Sequence, residues 1–595
     1  MQRRRRLAFG AEIVPGGVRF RFYAPTLDEA AVALDAGDRI AMERSPDGFF
    51  EVTVADASVG TRYRYEIAPE ETVPDPASRF QPQDVDGPSE VVDPSAYEWG
   101  DAAWRGRPWS EAIVYELHVG CFSASGDYAG VERRLDHLER LGITAIELMP
   151  VSDFSGTRNW GYDGVLPYAP DSSYGNPEYL KKLIDACHTR GLMVLLDVVY
   201  NHFGPSGNYL GRYAPGFFHP ERHTPWGAAL AFDNPVLRRF FIENALYWLE
   251  EYHFDGLRLD AVHAIDEEPG GEAFLSELAK HVRETIGERD IHLVLENDRN
   301  AAHWLPRTGQ PRLYTGQWND DFHHTANAVA TEEGDGYYGD YADRPVWYLA
   351  RTLTEGFAYQ GERSVFRDGR TRGEPSAGVA PTAFVNFLQN HDQIGNRAFG
   401  ERLTHLAPPE RLSTLYALLF LSPGVPLVFM GEEWAAATPF LFFCDFAGEL
   451  GEAVRTGRRE EFSRFAAFND ADAGREIPDP LARETFSRSR LRWDEAGESM
   501  HAEWLAFVSD LIARRRRELV PLLNGITSGT WQMFEEAAFA IEWPLADDGC
   551  WRVEANLGEI PVRMSGQRGR LIYAHATEAG ETLPPNSIRV THDDE

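Results

Sequence analysis

Positive charge is scarce in this chain. Only three of its 58 basic residues are lysine (Lys181, Lys182, Lys280), and 93 acids bring the formal charge to −35. A surface so poor in cations offers no footprint for the phosphates of nucleic acid. It suits a neutral substrate reached without electrostatic steering. The arginine bias reads as composition rather than function. Cysteine is scarce too: four residues, at 121, 187, 444 and 550, with no CxxC spacing. Neither a zinc site nor a disulfide framework is indicated, and reduced thiols in the cytoplasm are the plain reading. No window approaches the ~20 apolar residues of a membrane span. The basic start MQRRRRLAFG is followed by no apolar run, so it reads as a solvated end rather than a signal peptide. No GxSxG or HExxH occurs, and none of the three lysines has the glycines of a phosphate loop before it. GDGYYG (334–339) has the GxGxxG spacing, but it follows ATEE instead of an apolar strand, which argues against a dinucleotide site.

What the chain does have is a change of period. Up to about residue 100 it alternates as half-buried strands do: Val18, Phe20 and Phe22 share one face, as do Tyr63, Tyr65 and Ile67. A β-sandwich of immunoglobulin-like or carbohydrate-module type is expected over 1–100, with Val73–Pro94, rich in Pro, Asp and Ser, read as a linker. From Glu111 short apolar runs alternate with amphipathic stretches. Strands are expected at 113–118, 143–148, 192–197, 256–260, 291–296, 313–318, 383–389 and 425–430, several of them continuously apolar, as strands buried on both faces are. Helices are expected at 131–142, 177–191, 234–253, 409–421 and 501–518, the last closing with Arg514–Arg517 on its own dipole. The pattern predicts an α/β fold, a (β/α)₈ TIM barrel over 101–519 with an inserted loop at 202–234, and a small C-terminal β-sandwich over 520–595. A connection as long as 202–234 is usually functional.

Four of the eight strand ends carry acids, amides and histidines. They are LLDVVYNH (Leu195–His202), GLRLDAVH (Gly256–His263), LVLEND (Leu293–Asp298) and the NHD of Asn390–Asp392. A parallel barrel gathers such ends at one mouth. Asp260, Glu296 and Asp392 would then converge, and three acids at one mouth suit cleavage of a glycosidic bond. Arg258 shares a face with Asp260 by two-residue alternation and would keep it ionised. A buried Arg–Asp pair can equally be structural. The apolar residues before Glu296 would raise its pKa, as a proton donor needs. Taken alone, it could be an ordinary strand-end acid. The NHD cluster can grip sugar hydroxyls or simply form a turn. The conjunction of four such ends is harder to assign to packing than any one of them.

These four segments, in this order, resemble the conserved regions of the α-amylase family of retaining glycoside hydrolases. The resemblance implies that Asp260 is the nucleophile, Glu296 the general acid/base and Asp392 the residue that binds the distorted sugar. It implies that Arg258, His202, His263 and His391 line the first sugar subsite on the non-reducing side. Tyr162, in NWGYDG, would stack on that sugar. LMPVSDFSGTRNWGYDG, QWNDDFHH, GFAYQGE and NHDQIGNRAFGERL, together with RFRFYAP and DPASRFQP near the start, are similar to the malto-oligosyltrehalose trehalohydrolase branch of that family. That branch implies a malto-oligosyltrehalose substrate, cut at the α-1,4 bond beside its terminal trehalose. It also implies a pathway partner, malto-oligosyltrehalose synthase, that makes the substrate. Trehalose would be recognised by Asn319, Asp320, Asp321, Phe322 and His323 after the sixth strand and by Gln393 and Asn396 after the seventh. Asp320 and Asp321 could instead just cap a helix. Asn201 matches a calcium ligand of many amylases, but the loop after it has few acids, so neither metal nor cofactor is expected. A branching or debranching enzyme is the nearest rival, and a non-catalytic glucan-binding protein the rival from another class.

Overall fold

The computed structural model describes residues 7–593, apart from 225–226, 307–312, 464–476, 547–548, 565, 567 and 578–579. Its centre is a closed barrel of eight parallel strands. They are β1 (Val114–Leu117), β2 (Ala145–Leu148), β3 (Met193–Val198), β4 (Gly256–Leu259), β5 (His292–Leu295), β6 (Gly316–Trp318), β7 (Phe384–Phe387) and β8 (Val425–Phe429). Each lies inside or within a residue of an expected run, and every residue in all eight is buried. That double-sided burial is why the runs read as continuously apolar. The barrel closes where Val114 of β1 pairs with Leu427 of β8. Gly256 opens β4 because a Cβ there would stand 2.3 Å from the His292 carbonyl oxygen of β5.

The outer helices follow their caps. Asn176 accepts from the Tyr179 amide at the start of Pro177–Thr189, and Asn234 from the Val236 and Leu237 amides at the start of Pro235–Glu251. Both place proline at the first turn, where its missing N–H costs nothing. The expected helix 131–142 is two, Tyr128–Glu132 and Leu135–Leu141, separated at Arg133–Arg134. Of the expected arginine run, Arg514 pairs with Asp510 on its own helix, Ser499–Arg514, at 2.7 Å, but the next arginine turns away from it. Arg515 is buried, and its guanidinium donates to the carbonyls of Phe420, Ser422 and Gly424, at the end of Pro409–Leu421. No helix among the described residues is long and apolar enough to cross a membrane.

Before the barrel stand two facing antiparallel sheets. Gly10–Val14, Gly17–Tyr23, Phe49–Val54 and Glu43–Arg44 form one; Arg39–Ala41, Ala31–Leu34, Arg62–Ala68 and Glu71–Val73 form the other, with Ser89–Glu90 alongside. Phe22 stacks on Tyr65 at 4.3 Å and Phe20 meets Tyr63 at 4.7 Å between them. The stretch from Val73 to Pro94 is no loose linker, contrary to the composition-based reading. Asp75 is buried and accepts from the Tyr63 and Tyr65 hydroxyls at 2.7 and 3.2 Å. The Arg79 guanidinium lies over Tyr168 and Tyr247 of the barrel at 4.5 and 4.6 Å. The Pro, Asp and Ser content reflects turns whose polar groups are satisfied internally. Farther on, Asp101 bridges His188 and His253 (both 2.8 Å), and His188 also reaches Asp255 at 3.0 Å, fixing the chain beneath the barrel.

After the barrel comes a five-stranded sheet in the order Thr530–Phe534, Ala538–Pro544, Cys550–Asn556, Ser587–Asp593 and Arg570–His575, with a small pair, Val562–Arg563 and Thr582–Leu583. The segment 202–234 is not irregular throughout: it holds a helical turn, Leu210–Tyr213, and a hairpin, Phe218–Thr224 with Gly227–Leu230. Between β6 and β7 lie two helices that periodicity did not announce, Asp320–Thr331 and Pro345–Glu355.

Candidate active site

The barrel mouth is organised around one guanidinium. Arg258, on β4, is 1% exposed and lies 4.1 Å over the ring of Trp318, the last residue of β6. Its Nη1 donates to both oxygens of Asp197 and to Asp260 Oδ1, each at 2.8 Å, and its Nη2 stands 2.9 Å from Glu296 Oε2. Asp197 belongs to β3; Asp260 and Glu296 directly follow β4 and β5. Asn201 Nδ2 adds a 2.7 Å bond to Asp260 Oδ2 and a 2.8 Å bond to its carbonyl. Ala261, held in the left-handed region at φ 42°, turns its amide to Glu296 Oε2 at 2.8 Å. The sharp turn after Asp260 therefore also fixes its neighbour's carboxyl.

The same cation meets two carboxyls with opposite results. Burial raises Asp260, but the Arg258 charge and the Asn201 hydrogen bond outweigh it and hold this carboxyl below the ordinary aspartate value. Glu296 is pushed well above the ordinary glutamate value, chiefly by burial. The charges of Asp260, Asp320 and Asp392 add to that push against Arg258. Two carboxyls on the two nitrogens of one guanidinium are thus shifted in opposite directions, Asp260 toward the ionised form and Glu296 toward the protonated one. Asp197, which also accepts the Tyr162 hydroxyl at 2.6 Å, rises to about 6 through burial.

Asp392 comes from the turn after β7. Asn390 caps helix His391–Gly395 with its side chain on the Asp392 amide, and Gln393 returns to the Asn390 amide. Gly395 ends this helix beside Trp160, whose ring would lie 2.0 Å from any Cβ there. The Asp392 side chain is 47% exposed, against 12% for Asp260 and 19% for Glu296. Its carboxylate is open to whatever enters, although Oδ1 already accepts from Asn396 Nδ2 at 2.9 Å, while the other two are more enclosed. His391 is buried beneath it, its ring stacked on Tyr162 at 5.1 Å. His202 is buried with Nε2 2.8 Å from the Tyr162 carbonyl, so it holds the tyrosine in place.

Glu296 and Asp392 open into a cleft of about 1050 Å³, open mouth included, whose walls also carry His263, Asp320, Gln393 and Asn396. The rest of the expected QWNDDFHH set does not face it. Asn319 is buried and donates to the Gly356 carbonyl and Asn386 Oδ1, both at 2.9 Å. Asp321 is buried against Arg372 (2.7 Å) and the amides of Ala358 and Tyr359. Phe322 sits in the main core, and His323 is buried between the Leu388 carbonyl and the Tyr338 hydroxyl. These four corrections have one cause: the segment is a helix, and a helix turns only one residue in three or four to a given side. Asp320 and, one turn on, His324 are the residues it turns to the cleft. Missed from sequence were Asp298, His324, Tyr337, Phe366, Arg367 and Arg372, which also line the cleft. Tyr337 lies within GDGYYG, whose glycines and aromatics build a 3₁₀ turn, Gly336–Asp340. Asp298 closes the strand end LVLEND and His324 closes QWNDDFHH, whereas no strand-end pattern marks the segment carrying Phe366, Arg367 and Arg372; only its aromatics and arginines could have flagged it.

Three family models match successive parts of the chain. They are Carbohydrate-binding module 48 (Isoamylase N-terminal domain) over 8–93, Alpha amylase, catalytic domain over 78–214, and a Domain of unknown function (DUF3459) over 527–590. A malto-oligosyltrehalose trehalohydrolase from Rhizobium sp. (strain M-11) is 40% identical over 98% of this chain and 99% of its own. One from Deinococcus radiodurans is 42% identical over 87% of this chain and 84% of its own. The chain belongs to the malto-oligosyltrehalose trehalohydrolase family. That family is a branch of the α-amylase family of glycoside hydrolases, and the barrel with a β-module at either end is its architecture here. A crystal structure of a putative alpha amylase from Salmonella typhimurium superposes with a TM-score of 0.94 at 45% identity, over 98% of this chain and 99% of that one. A pullulanase from Bacillus acidopullulyticus, at 17% identity and a TM-score of 0.72, shares the fold alone.

Proposed function

We propose that this enzyme hydrolyses malto-oligosyltrehalose at the α-1,4 bond next to its terminal trehalose, with retention, releasing trehalose and a malto-oligosaccharide. The observation that carries the reading is the shared guanidinium, with Asp260 on one nitrogen, held below its ordinary pKa, and Glu296 on the other, pushed above its own. Retaining hydrolysis needs that pairing at a separation of ~5–5.5 Å. Glu296 protonates the glycosidic oxygen as Asp260 attacks the anomeric carbon; Glu296, now ionised, then takes a proton from the water that breaks the glycosyl-enzyme. Asp392 holds the hydroxyls of the distorted sugar. Tyr162 and His202 support that subsite, Arg258 sets its charges, and His263 lines its rim. On the leaving-group side Asp320, Gln393 and Asn396 line the cleft together with Tyr337, Phe366 and Arg367. Such a mix of aromatic faces and polar forks suits a rigid disaccharide.

Product analysis separates the readings. Incubation with malto-oligosyltrehalose is expected to give free trehalose, and incubation with starch little product. New or lost α-1,6 links would point to a branching or debranching enzyme, and no product at all to a binding protein. Asp260→Asn and Glu296→Gln should each lower kcat by roughly three orders of magnitude or more while leaving thermal unfolding near wild type. Normal turnover by sequence-verified D260N would remove the nucleophile assignment.

A further inference from the structure

Behind His391, on the side away from the cleft, stands an acid that touches nothing a substrate could reach. Glu116 lies on β1, is 1% exposed and takes no part in the cleft wall. Its Oε2 accepts the His391 backbone amide at 3.1 Å and its Oε1 is bonded to His391 Nδ1. An ionised carboxylate can only accept, so Nδ1 carries the proton in that bond. Nε2 is thereby left on the other side of the ring, 3.9 Å from Asp392 Oδ1. That gap is too long for a hydrogen bond.

We propose that Glu116 is a positioning residue for the hydrolysis, holding the ring and the backbone of His391 so that Nε2 is presented to the sugar hydroxyl that Asp392 also grips. The inference rests on the proposed role of Asp392. Every element packed around His391 limits how its ring can sit. Tyr162 covers one face at 5.1 Å, and Trp160 meets it edge-on at 5.5 Å, its indole nitrogen tied to the Leu441 carbonyl at 2.9 Å. What these contacts leave open is rotation by half a turn, which would exchange the two ring nitrogens. The carboxylate on Nδ1 closes that option, as orienting acids do for catalytic histidines.

The charges around the ring point the same way. Asp392 faces it from its own helix, Asp197 from β3, Arg258 from β4 and His118 from the segment after β1. Burial and Arg258 disfavour an imidazolium here, yet Glu116, with help from Asp392, raises His391 above the ordinary histidine value. That shift favours a ring with protons on both nitrogens, one bonded to Glu116 and one directed toward the cleft.

The test is Glu116→Gln, which keeps the volume but loses the charge and one of the two acceptors. kcat is expected to fall roughly 10- to 100-fold with KM within about threefold. Thermal unfolding should stay close to wild type. His391→Asn gives the reference: E116Q should add almost nothing in the H391N background, because the substituted amide can still accept the backbone N–H of residue 391 and only the bond to the ring is lost. Independent losses that multiply, or an E116Q enzyme with wild-type kcat, overturn the proposal. A substrate-free measurement stands beside these, the NMR titration of labelled His391. It is expected to hold its second proton above the pH of ~6.5 where a free imidazole loses it, with Nδ1 protonated throughout. In E116Q the midpoint should drop. A wild-type ring that is neutral at pH 6, or protonated on Nε2 alone, overturns the proposal even if E116Q does not fold. Since this titration involves no turnover, it separates a failure here from a failure of the assigned reaction.

Discussion

At the scale of single residues, the site works by giving two like groups different protons. Activity on the proposed route needs Asp260 ionised and Glu296 protonated. The acid limb of kcat/KM therefore lies below the usual aspartate range and the alkaline limb above the usual glutamate range. Asp320 tunes the second limb. Burial, then the charge of Asp298, moves it to about 7, and once ionised it helps keep the proton on Glu296. Asp320→Asn removes that negative charge, so Glu296 gives up its proton at lower pH and the alkaline limb moves down. A pH–rate profile of D320N that overlays wild type above pH 7 would contradict this. Sequence reached Asp260, Glu296, Asp392 and Arg258 because each sits at, or two residues before, the end of an apolar run, and strand alternation tells which side chains share a face. Asp320 could not be told apart from Asp321 in that way. Their roles, one facing the cleft and one buried on Arg372, depend on helix rotation rather than on residue type.

At the scale of elements, the turn after β4 bears the strain. Ala261 is a non-glycine in the left-handed region, a conformation that costs an L-residue roughly 1–2 kcal/mol. The turn is held because the next helix, Val262–Asp266, must start at once while the Ala261 amide reaches Glu296. Ala261→Gly is expected to keep activity and fold at least as stably. Ala261→Val should lower both kcat and the unfolding midpoint, since a β-branched side chain tolerates that backbone poorly. Equal activity of the two variants would show that the turn relaxes freely. Elements legible in sequence were those with one dominant demand: barrel strands buried on both faces, and long outer helices with clear caps. Asp320–Thr331 was invisible because its buried side includes His323, Thr325 and Asn327, polar residues satisfied by partners far along the chain or by their own helix. The two helices within 128–141 were merged because their apolar spacing carries across the break at Arg133–Arg134.

At the scale of the whole molecule, the leading β-module is joined to the barrel by buried charge as well as by apolar contact. Beneath the barrel, His188 lies between Asp101 and Asp255, stacked on Trp104 at 4.8 Å. Burial opposes its charge, but bonds to the two aspartates raise it above the ordinary histidine value. A group raised on folding stabilises fully below its unfolded pKa of ~6.5, and that contribution fades as pH rises through the folded value. His188→Gln removes the group that bridges the two acids, leaving Asp101 with His253 at 2.8 Å and Asp255 with Arg289 at 4.0 Å. It should cost about 3 kcal/mol or more at pH 6, and the deficit should narrow toward pH 9. Denaturant unfolding at the two pH values measures this, and a deficit independent of pH would mean that His188 acts by shape alone. Nothing in the composition of 73–107 announced this join, because prolines, aspartates and serines look alike in a linker and in a packed strap.

The strap around Arg79 bears on how the chain is made. Its guanidinium lies over Tyr168 and Tyr247, which leave the ribosome long after it does. At synthesis rates of about 5–20 residues per second, that interval is on the order of ten to thirty seconds. During it a freshly synthesised module presents an unpaired cation and the bare edge of its own interface. Vectorial synthesis thus imposes a waiting period on this enzyme, and the first hundred residues gain their final surroundings only when the barrel is half built.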